Sequence, residues 1–434
     1  MAPERMEVRG FDRRALMLDR RTQRAEGQDV DNTRANSGSR LDSSTRFGLF
    51  GLAASVFAGV TTEMLPVGLL PDMAQSLHRS EAQIGLLVGI YAAMVAVLAV
   101  PLVALTRRVP RKRLLMVTIG SYALSNLICA IAPGFTTLAI GRALGGATHA
   151  LFFAVAIGYG TRLVPPAQTG RALALVSAGV SVGFVAGVPL ATALGHLAGW
   201  RASFWALFVV LLIVLALLAK VLPDIPVTTE RATEPRGRRR DLATVVTANT
   251  VTFVGHFALY TYVSALLLQA GAAPSAVAMG LFLFGGAGLV GVLVGGPWLD
   301  RSPRGSALVI LGLVTAGVLA VALTYPSLGL VLVAGALWNG AWGPVPSLFQ
   351  VAAVRARATS PEMAGAWINA MSNVGIALGA VLGGLALESA GIQASAWFAV
   401  ALLIAAIAIV VTARRAFPGT AASVTEPVAE TVLP

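Results

Sequence analysis

The chain has 434 residues, of which 56% are hydrophobic and 12% charged, and its formal net charge at pH 7 is +12. Soluble domains carry about 25% charged residues, so this composition excludes an ordinary soluble protein. A strongly basic chain could bind nucleic acid. Here the basic residues lie in short loops between apolar segments, as in membrane proteins that face anionic lipid, so we expect no nucleic-acid partner.

Twelve apolar segments follow one another, and most reach the length of about 20 residues that a helix needs to cross a bilayer. Their length and the lack of alternating hydrophobicity exclude a β-barrel. The predicted fold is an all-α membrane protein with twelve transmembrane helices in two pseudo-symmetric six-helix halves. The segments are 48–70, 82–105, 114–132, 136–160, 170–195, 202–220, 245–268, 278–299, 306–323, 327–350, 362–387 and 392–412.

Basic residues cluster on every second connection between these segments. Of the 32 Lys and Arg residues, 29 fall on the side of the two termini, and the exceptions are Arg79, Arg142 and Arg201. Because loops rich in Lys and Arg stay on the cytoplasmic side, we expect a multi-pass protein of the inner or plasma membrane. Both termini would then be cytoplasmic.

Three stretches without a sustained apolar run divide the chain. Residues 1–46 are rich in Arg, Asp and Ser, which is typical of a disordered cytoplasmic leader and not of a cleaved signal peptide. Residues 221–244 form a basic linker between a six-helix half at 47–220 and a second at 245–413. Residues 414–434 form a cytoplasmic tail.

The two halves share features that an internal duplication would leave. Glycines spaced four apart in segment 5 recur in segment 11 at a shift of 196 positions, and at a shift of 193 Glu63 meets His256. One hypothesis is that these glycines let helices pack closely. A second hypothesis adds that they form a seam at the boundary between the halves, which slides during transport. Pro189 would bend the outer end of segment 5. The seam residues are Gly179, Gly183, Gly187 and Pro189, repeated as Gly375, Gly379 and Gly383.

Ionisable side chains in the hydrocarbon region are costly, so each is a candidate for function. At 1.5 Å per residue, Glu63 lies roughly 22 Å along segment 1 and Arg142 roughly 9 Å into segment 4, at comparable depth. We expect them to pair or exchange partners across a cavity. They form either a static ion pair or a site where Glu63 binds a proton once separated from Arg142. His149, on the same face as Arg142, is either a packing histidine or lines this cavity.

Polar and aromatic residues of segments 7, 10 and 11 are the candidates for contacts with a solute. In segment 7 they recur every three or four residues and form one stripe, which we expect to face water or solute. Two tryptophans of segment 10 either anchor at the membrane interface or stack on a solute. The candidates are Asn249, His256, Tyr260, Trp338, Asn339, Trp342, Asn369 and Asn373.

The loop after segment 8 reads GPWLDRSPRGSAL from Gly296. It resembles the G-x-L-A-D-R-x-G-R-K-x-x-L signature of the major facilitator superfamily, with Pro303 at the second Gly. The first-half copy keeps its basic residues but has Arg107 where the Asp belongs. The resemblance implies a conformational latch at this loop. Its residues would be Gly296, Asp300, Arg301 and Arg304.

Three further stretches resemble the twelve-helix drug/proton antiporter branch of that superfamily, nearest to bacterial sugar-efflux and chloramphenicol-exporter permeases. They are TTEMLPVGLLPD from Thr61, GRALGGATHA from Gly141 and GFVAGVP from Gly183. The family's motif in segment 5 puts Gly directly before Pro, whereas Val188 intervenes here. The resemblance covers roughly 47–413 and implies that Arg142 takes part in proton coupling.

On this resemblance we expect a secondary transporter that exports a small organic solute, such as a sugar or a phenicol, by proton antiport with alternating access. Glu63, Arg142 and His149 would couple protons. The alternatives are a proton-coupled nutrient importer and a membrane receptor without transport. The sequence has neither a P-loop lysine motif nor metal-ligand spacing among its His, so we expect no enzyme, cofactor or metal. The partners would be solute, protons and lipid, and the chain a monomer.

Overall fold

The computed structural model describes residues 43–106, 108–165, 168–224, 238–299 and 302–417, without the side chains of 43, 296–299, 303, 361 and 362. In these ranges it contains twelve helices long and apolar enough to cross a membrane, which confirms the predicted all-α class. Most of the predicted leader, linker and tail lies outside the described residues. The helices are α1 (Ser43–Leu77), α2 (Glu81–Leu105), α3 (Arg111–Ala130), α4 (Phe135–Arg162), α5 (Thr169–Ala198), α6 (Trp200–Val221), α7 (Arg239–Gln269), α8 (Pro274–Leu299), α9 (Pro303–Thr324), α10 (Leu328–Arg355), α11 (Pro361–Ala390) and α12 (Ile392–Thr412).

Helix α1 is longer than its predicted segment and continues through two prolines. Pro66 and Pro71 lack the N–H groups that would bond to the carbonyls of Thr62 and Val67, four residues earlier. Within a membrane such carbonyls need partners from neighbouring helices. The Val67 carbonyl accepts a hydrogen bond from Ser264 Oγ of α7 at 2.6 Å, and the Thr62 carbonyl accepts one from a side chain of α4. Tertiary contacts therefore allow α1 to continue.

Three of the helices are interrupted along their length. In α5 a π-helical turn at Gly183–Gly187 precedes Pro189, and the Val188 N–H bonds to the Gly183 carbonyl five residues back. Such turns and breaks change the direction in which the following side chains point. The other two interrupted helices are α7, divided into Arg239–Tyr260 and Val263–Gln269, and α10, divided into Leu328–Trp342 and Val345–Arg355.

The glycine rows pack α5 against α1 and α11 against α7. A Cβ added to Gly179 would lie 2.3 Å from the Ala53 carbonyl oxygen, and one added to Gly383 would lie 2.1 Å from that of Ala258. Only glycine permits backbones to approach this closely. The rows therefore lie inside each half and not at the boundary between the halves, where the sliding-seam hypothesis had located them.

These contacts also correct the alignment of the two halves. On α1, the first glycine row contacts the carbonyls of Ala53 and Phe57. On α7, the second row contacts the carbonyls of Thr250 and Val254, each 197 positions later in the sequence. The sequence alignment at a shift of 193 was thus wrong by one helical turn. Glu63 corresponds in structure to Tyr260 and not to His256.

The corners that follow the glycine rows are repeated as well. Gly199 and Gly391 have φ angles of +84° and +79°, a conformation that glycine adopts without strain, and each begins the next helix. Four residues later, Ser203 and Ser395 each donate a hydrogen bond to a carbonyl twelve residues back, at 2.6 and 2.8 Å. The two halves are therefore built from the same unit, as a pseudo-symmetric fold requires.

Within each half, short connections make consecutive helices alternate in direction, and the bond between Ser264 and Val67 puts the ends of α7 and α1 at the same face. The bundle thus has an N-terminal face, where α1 begins, and an opposite face, where α1 ends. The halves meet along α2 with α11 and along α5 with α8. Near the opposite face, the buried Tyr262 of α7 inserts between Gly85 of α2 and Gly384 of α11. A Cβ at either glycine would lie 2.2 or 2.4 Å from the Tyr262 hydroxyl, which donates to the Ala380 carbonyl at 2.5 Å.

Among the described residues, two hydrogen bonds join the halves at this same end of the bundle. One is the bond from Ser264 Oγ to the Val67 carbonyl. In the other, Ser80 Oγ donates to Glu388 Oε1 at 2.5 Å while it also caps α2 by accepting from the Gln83 N–H. We call these contacts, together with the Tyr262 insertion, the closure.

Candidate functional site

A buried arginine of α4 holds the part of α1 that Pro66 leaves without a backbone partner. Arg142 Nη1 donates to the Thr62 carbonyl at 2.5 Å, Nη2 to the Glu63 carbonyl at 2.7 Å, and Nε to the Leu87 carbonyl at 3.3 Å. Arg142 is only 1% exposed. Because an unpaired buried charge is very costly, these three bonds make the guanidinium part of the α1–α2–α4 packing.

The Glu63 carboxylate has a different partner from the one that the sequence suggested. Its Oε2 lies 3.4 Å from His149 Nδ1, and both side chains are buried. The structure therefore brings Glu63, Arg142 and His149 together, but Arg142 bonds to the backbone carbonyl of Glu63, and the side chain nearest to the Glu63 carboxylate is His149. His149 and Arg142 share one face of α4, and Phe153 stacks on the His149 ring at 4.4 Å.

Two tyrosines extend this group, and the sequence analysis missed both. The Tyr91 hydroxyl lies 3.1 Å from the Tyr122 hydroxyl and 3.1 Å from His149 Nδ1. The Tyr91 ring lies under the Arg142 guanidinium at 4.3 Å, a cation–π distance. A buried tyrosine hydroxyl in an apolar segment needs a polar partner, and that signal could have identified them.

Glycines of α4 make room for Tyr91. A Cβ on Gly146 would lie 2.2 Å from the Tyr91 carbonyl oxygen, and one on Gly145 would lie 2.9 Å from its ring. Asn126 of α3, also missed, is fully buried, and its Nδ2 donates to Thr62 Oγ1 at 3.0 Å. Helices α1 to α4 thus enclose one network of polar side chains, which we call the ionisable cluster. Its members are Glu63, Tyr91, Tyr122, Arg142 and His149.

A second group, the aromatic cluster, lies between α7 and α10. Trp338 Nε1 donates to His256 Nδ1 at 3.0 Å. Trp342 stacks on His256 with ring centroids 3.5 Å apart and an interplanar angle of 9°. Tyr260 stacks on His256 at 5.0 Å. The structure thereby joins four of the eight predicted solute contacts, and Phe253 and Phe257 complete the cluster.

The other four predicted residues make separate contacts. Asn249 Nδ2 donates to Ser372 Oγ at 2.9 Å and joins α7 to α11. Asn339 Nδ2 donates to the carbonyl of its own helix at Gly335. Asn373 Nδ2 likewise bonds to the carbonyl of exposed Asn369. The predicted polar stripe of α7 therefore divides, since Asn249 joins helices and His256 enters the aromatic cluster.

The predicted latch is only partly described. Asp300 and Arg301 lie outside the described residues, and so do the side-chain surroundings of Gly296. Arg304 Nη2 donates a hydrogen bond to the Val411 carbonyl near the end of α12. This contact is within the second half, at the N-terminal face.

Both clusters lie on the same side of the closure. Glu63 precedes Val67 by four residues, or about 6 Å along the helix axis. His256 precedes Ser264 by eight residues, or roughly 12 Å. Because Val67 and Ser264 bond to each other, both clusters are displaced from that contact toward the N-terminal face.

Comparison with known proteins agrees with this architecture. The sequence profile of the Major Facilitator Superfamily matches residues 51–365. The chain belongs to this superfamily. Two relatives, the chloramphenicol efflux pumps of Mycobacterium tuberculosis strains CDC 1551 / Oshkosh and ATCC 25618 / H37Rv, are each 35% identical to it over 353 residues. The match covers 78% of this chain and 85% of each pump. The protein is therefore a multi-pass membrane protein of a transporter family.

Solved structures share the fold of this superfamily member. A bacterial homologue of the human lysosomal transporter Spinster aligns with TM-scores of 0.69 and 0.73 in its unoccupied and occupied inward-facing forms. Both comparisons have 17% identity and cover 87% of this chain and 98% of the other. The human organic anion transporter MFSD10 aligns with a TM-score of 0.62 at 16% identity, covering 85% and 100% of the two chains. At these identities the likeness shows the fold alone.

Proposed function

We propose that this protein exports a small neutral or amphiphilic organic solute across the cell membrane in exchange for protons. The N-terminal face is cytoplasmic, as the basic loops indicate, and the chain acts as a monomer. Relatives named as chloramphenicol efflux pumps support a phenicol as solute, and the resemblance to sugar exporters adds sugars. The single observation that carries proton coupling is the buried Glu63 carboxylate with His149 as its partner.

Glu63 is suited to bind and release a proton because the fold of α1 does not depend on its charge. The three donors of Arg142 go to backbone carbonyls, so these bonds persist whether the carboxyl is ionised or neutral. The partner of the carboxylate, His149, can itself donate or accept a hydrogen bond. The charge at Glu63 can therefore change without removing the bonds that hold α1 to α4.

The aromatic cluster supplies the solute site in the second half. Trp342 is half-buried and stacks on His256, and Tyr260 stacks on His256 as well. Sites of this kind combine apolar walls with a few polar groups. Because both clusters lie on the N-terminal side of the closure, solute would enter from the cytoplasm while the closure is formed. Opening of the closure would release it outside.

A flux experiment in proteoliposomes tests this proposal. Purified protein is reconstituted, a pH gradient is imposed, and transport of radiolabelled chloramphenicol and of a panel of sugars is measured together with proton movement. The expected result is solute accumulation driven by the gradient. Glu63→Gln should lose gradient-driven accumulation yet retain exchange of labelled for unlabelled solute. Asp72→Asn is the matched control and should behave as wild type, because Asp72 is a part-exposed carboxylate of α1 that also has a histidine partner, His196 Nε2 at 3.1 Å.

The outcomes separate the rival hypotheses. Co-movement of solute and protons in the same direction would replace export by nutrient import. Absence of flux for every solute, with correctly folded protein, would favour a receptor. Gradient-driven accumulation by Glu63→Gln at the wild-type rate would remove Glu63 from proton coupling.

A further inference from the structure

His256 is held in a single tautomer by its contact with Trp338. The Trp338 Nε1–H lies 3.0 Å from His256 Nδ1, and an indole nitrogen can donate but never accept. His256 Nδ1 must therefore be the acceptor and carries no hydrogen. The imidazole is neutral in this arrangement, and its hydrogen is on Nε2.

The aromatic neighbours fix the plane of this ring as well. Trp342 lies nearly parallel to it, at 9° and 3.5 Å, and Tyr260 at 22° and 5.0 Å. Hydrogen bonds of an imidazole lie in the ring plane, and Trp338 occupies the Nδ1 edge. The Nε2–H at the other edge is the hydrogen-bond donor that His256 still has to offer. Its direction is set by three aromatic side chains.

We propose that His256 Nε2–H is the specificity-determining donor of the solute site. It selects uncharged molecules that carry an oxygen acceptor, such as a carbonyl or amide oxygen, beside an apolar group that packs against the aromatic cluster. The inference rests on the proposed function, because it assigns the solute class of that same site.

The charge and the hydrogen-bonding groups of a solute explain this selectivity. A neutral donor offers an anion one hydrogen bond but no opposite charge, so a carboxylate or phosphate would lose its hydration without compensation. A solute that offers only a donor would face a second donor, because the accepting nitrogen is already used by Trp338. A solute without an oxygen acceptor would leave a buried N–H unpaired, which is the kind of mismatch that polar sites reject most strongly.

Two substitutions at this position separate the donor from the rest of the side chain. Asparagine places an acceptor near the Nδ1 position and keeps the partner for Trp338, but it does not reach the position of Nε2. Glutamine places an N–H near the Nε2 position. We expect His256→Asn to weaken binding of chloramphenicol about tenfold, the effect of one lost hydrogen bond. We expect His256→Gln to stay close to wild type.

Binding is measured in detergent by isothermal titration calorimetry, with monodisperse elution as evidence of folding for each variant. Trp338→Phe is a second variant, which removes the donor to Nδ1 and lets the hydrogen occupy either nitrogen. It should weaken binding less than His256→Asn does, because the tautomer that donates from Nε2 is still populated. Equal affinities of wild type, His256→Asn and His256→Gln would overturn the proposal.

A spectroscopic measurement tests the tautomer without any solute. Nitrogen NMR of ¹⁵N-histidine-labelled protein, with His256→Gln for assignment, should give one protonated and one bare nitrogen for His256, with the proton on Nε2. A doubly protonated ring, or a proton on Nδ1, would overturn the inference. If the expected tautomer is found but wild-type protein binds and transports none of the solutes, the proposed function fails, and the solute class assigned here fails with it.

Discussion

The ionisable cluster of the first half and the aromatic cluster of the second half each contain one buried histidine, and the two histidines have different chemistry. His149 Nδ1 faces the Glu63 carboxylate and the Tyr91 hydroxyl, groups that can gain or lose a hydrogen bond when a proton binds. His256 Nδ1 faces the Trp338 indole, a permanent donor. The contrast teaches that the partner, and not the residue type, decides whether a buried histidine can respond to a proton.

The equivalence of the halves sharpens this contrast. Repeated glycine rows and corners show that both clusters are built on the same helical framework. At the position where the first half has Glu63, the second half has Tyr260. A duplicated scaffold thus carries a carboxylate at one of its two equivalent positions and an aromatic ring at the other.

The largest effect is expected at Arg142, the arginine of the ionisable cluster. Arg142→Lys replaces a planar group with three separate bonds by a single ammonium that cannot reach all three carbonyls. We expect the free energy of unfolding to fall by about 3 kcal/mol, since buried carbonyls are left unpaired. Equilibrium unfolding in mixed detergent micelles measures this. Arg201→Lys is the control, because Arg201 is half-buried and its Nη2 bonds to the Ala132 carbonyl; equal losses in the two variants would contradict the role assigned to Arg142.

An intermediate effect is expected at the closure, which separates both clusters from the opposite face of the bundle. Gly85→Ala puts a Cβ where the Tyr262 hydroxyl lies, so it disfavours the closed arrangement and not the open one. We expect the population open at the opposite face to rise about tenfold, or about 1.4 kcal/mol. The alkylation rate of a cysteine introduced at Ala82, in a Cys129→Ser background, reports this opening.

The control for this experiment is Gly312→Ala in α9, where an added Cβ meets no atom within 4 Å. It should leave the alkylation rate unchanged. If Gly85→Ala also leaves the rate unchanged, the Tyr262 insertion does not hold the closure.

The smallest effect is expected for the hydroxyl that the sequence analysis missed. Tyr91→Phe keeps the ring under Arg142 but removes the oxygen shared with Tyr122 and His149. We expect a loss of about 1 kcal/mol in the free energy of unfolding and no change in solute affinity at the aromatic cluster. Tyr122→Phe and the double variant complete a cycle. Because both single changes remove the same bond, their effects should not add, and additive losses would contradict the shared bond.

Much of the fold could be predicted from the sequence, because hydrophobic length and loop charge are local properties. The twelve segments correspond to the twelve helices, and the shared face of Arg142 and His149 followed from helical spacing. Four of the aromatic and polar candidates also lie in one cluster. Their joint position was predictable in part because a polar group within a membrane requires a partner.

The partners themselves could not be predicted. Nothing near Arg142 in the sequence indicates that its donors go to carbonyls of α1 and α2, since the carbonyl that most needs a partner is left by Pro66 in another helix. Asn249 resembled a solute contact but bonds to Ser372 of α11. The match of Glu63 with His256 was displaced by one turn, because helix packing and not residue type sets the true alignment.

The sequence by itself therefore determined the number of helices, the duplication and the set of buried polar residues, since these depend on composition and spacing along one chain. Only the tertiary structure decided that Glu63 faces His149, that Arg142 serves the backbone and that Trp338 fixes the tautomer of His256. The physical reason is that hydrogen bonds require atoms within about 3 Å, and which atoms come so close is set by helices far apart in the sequence.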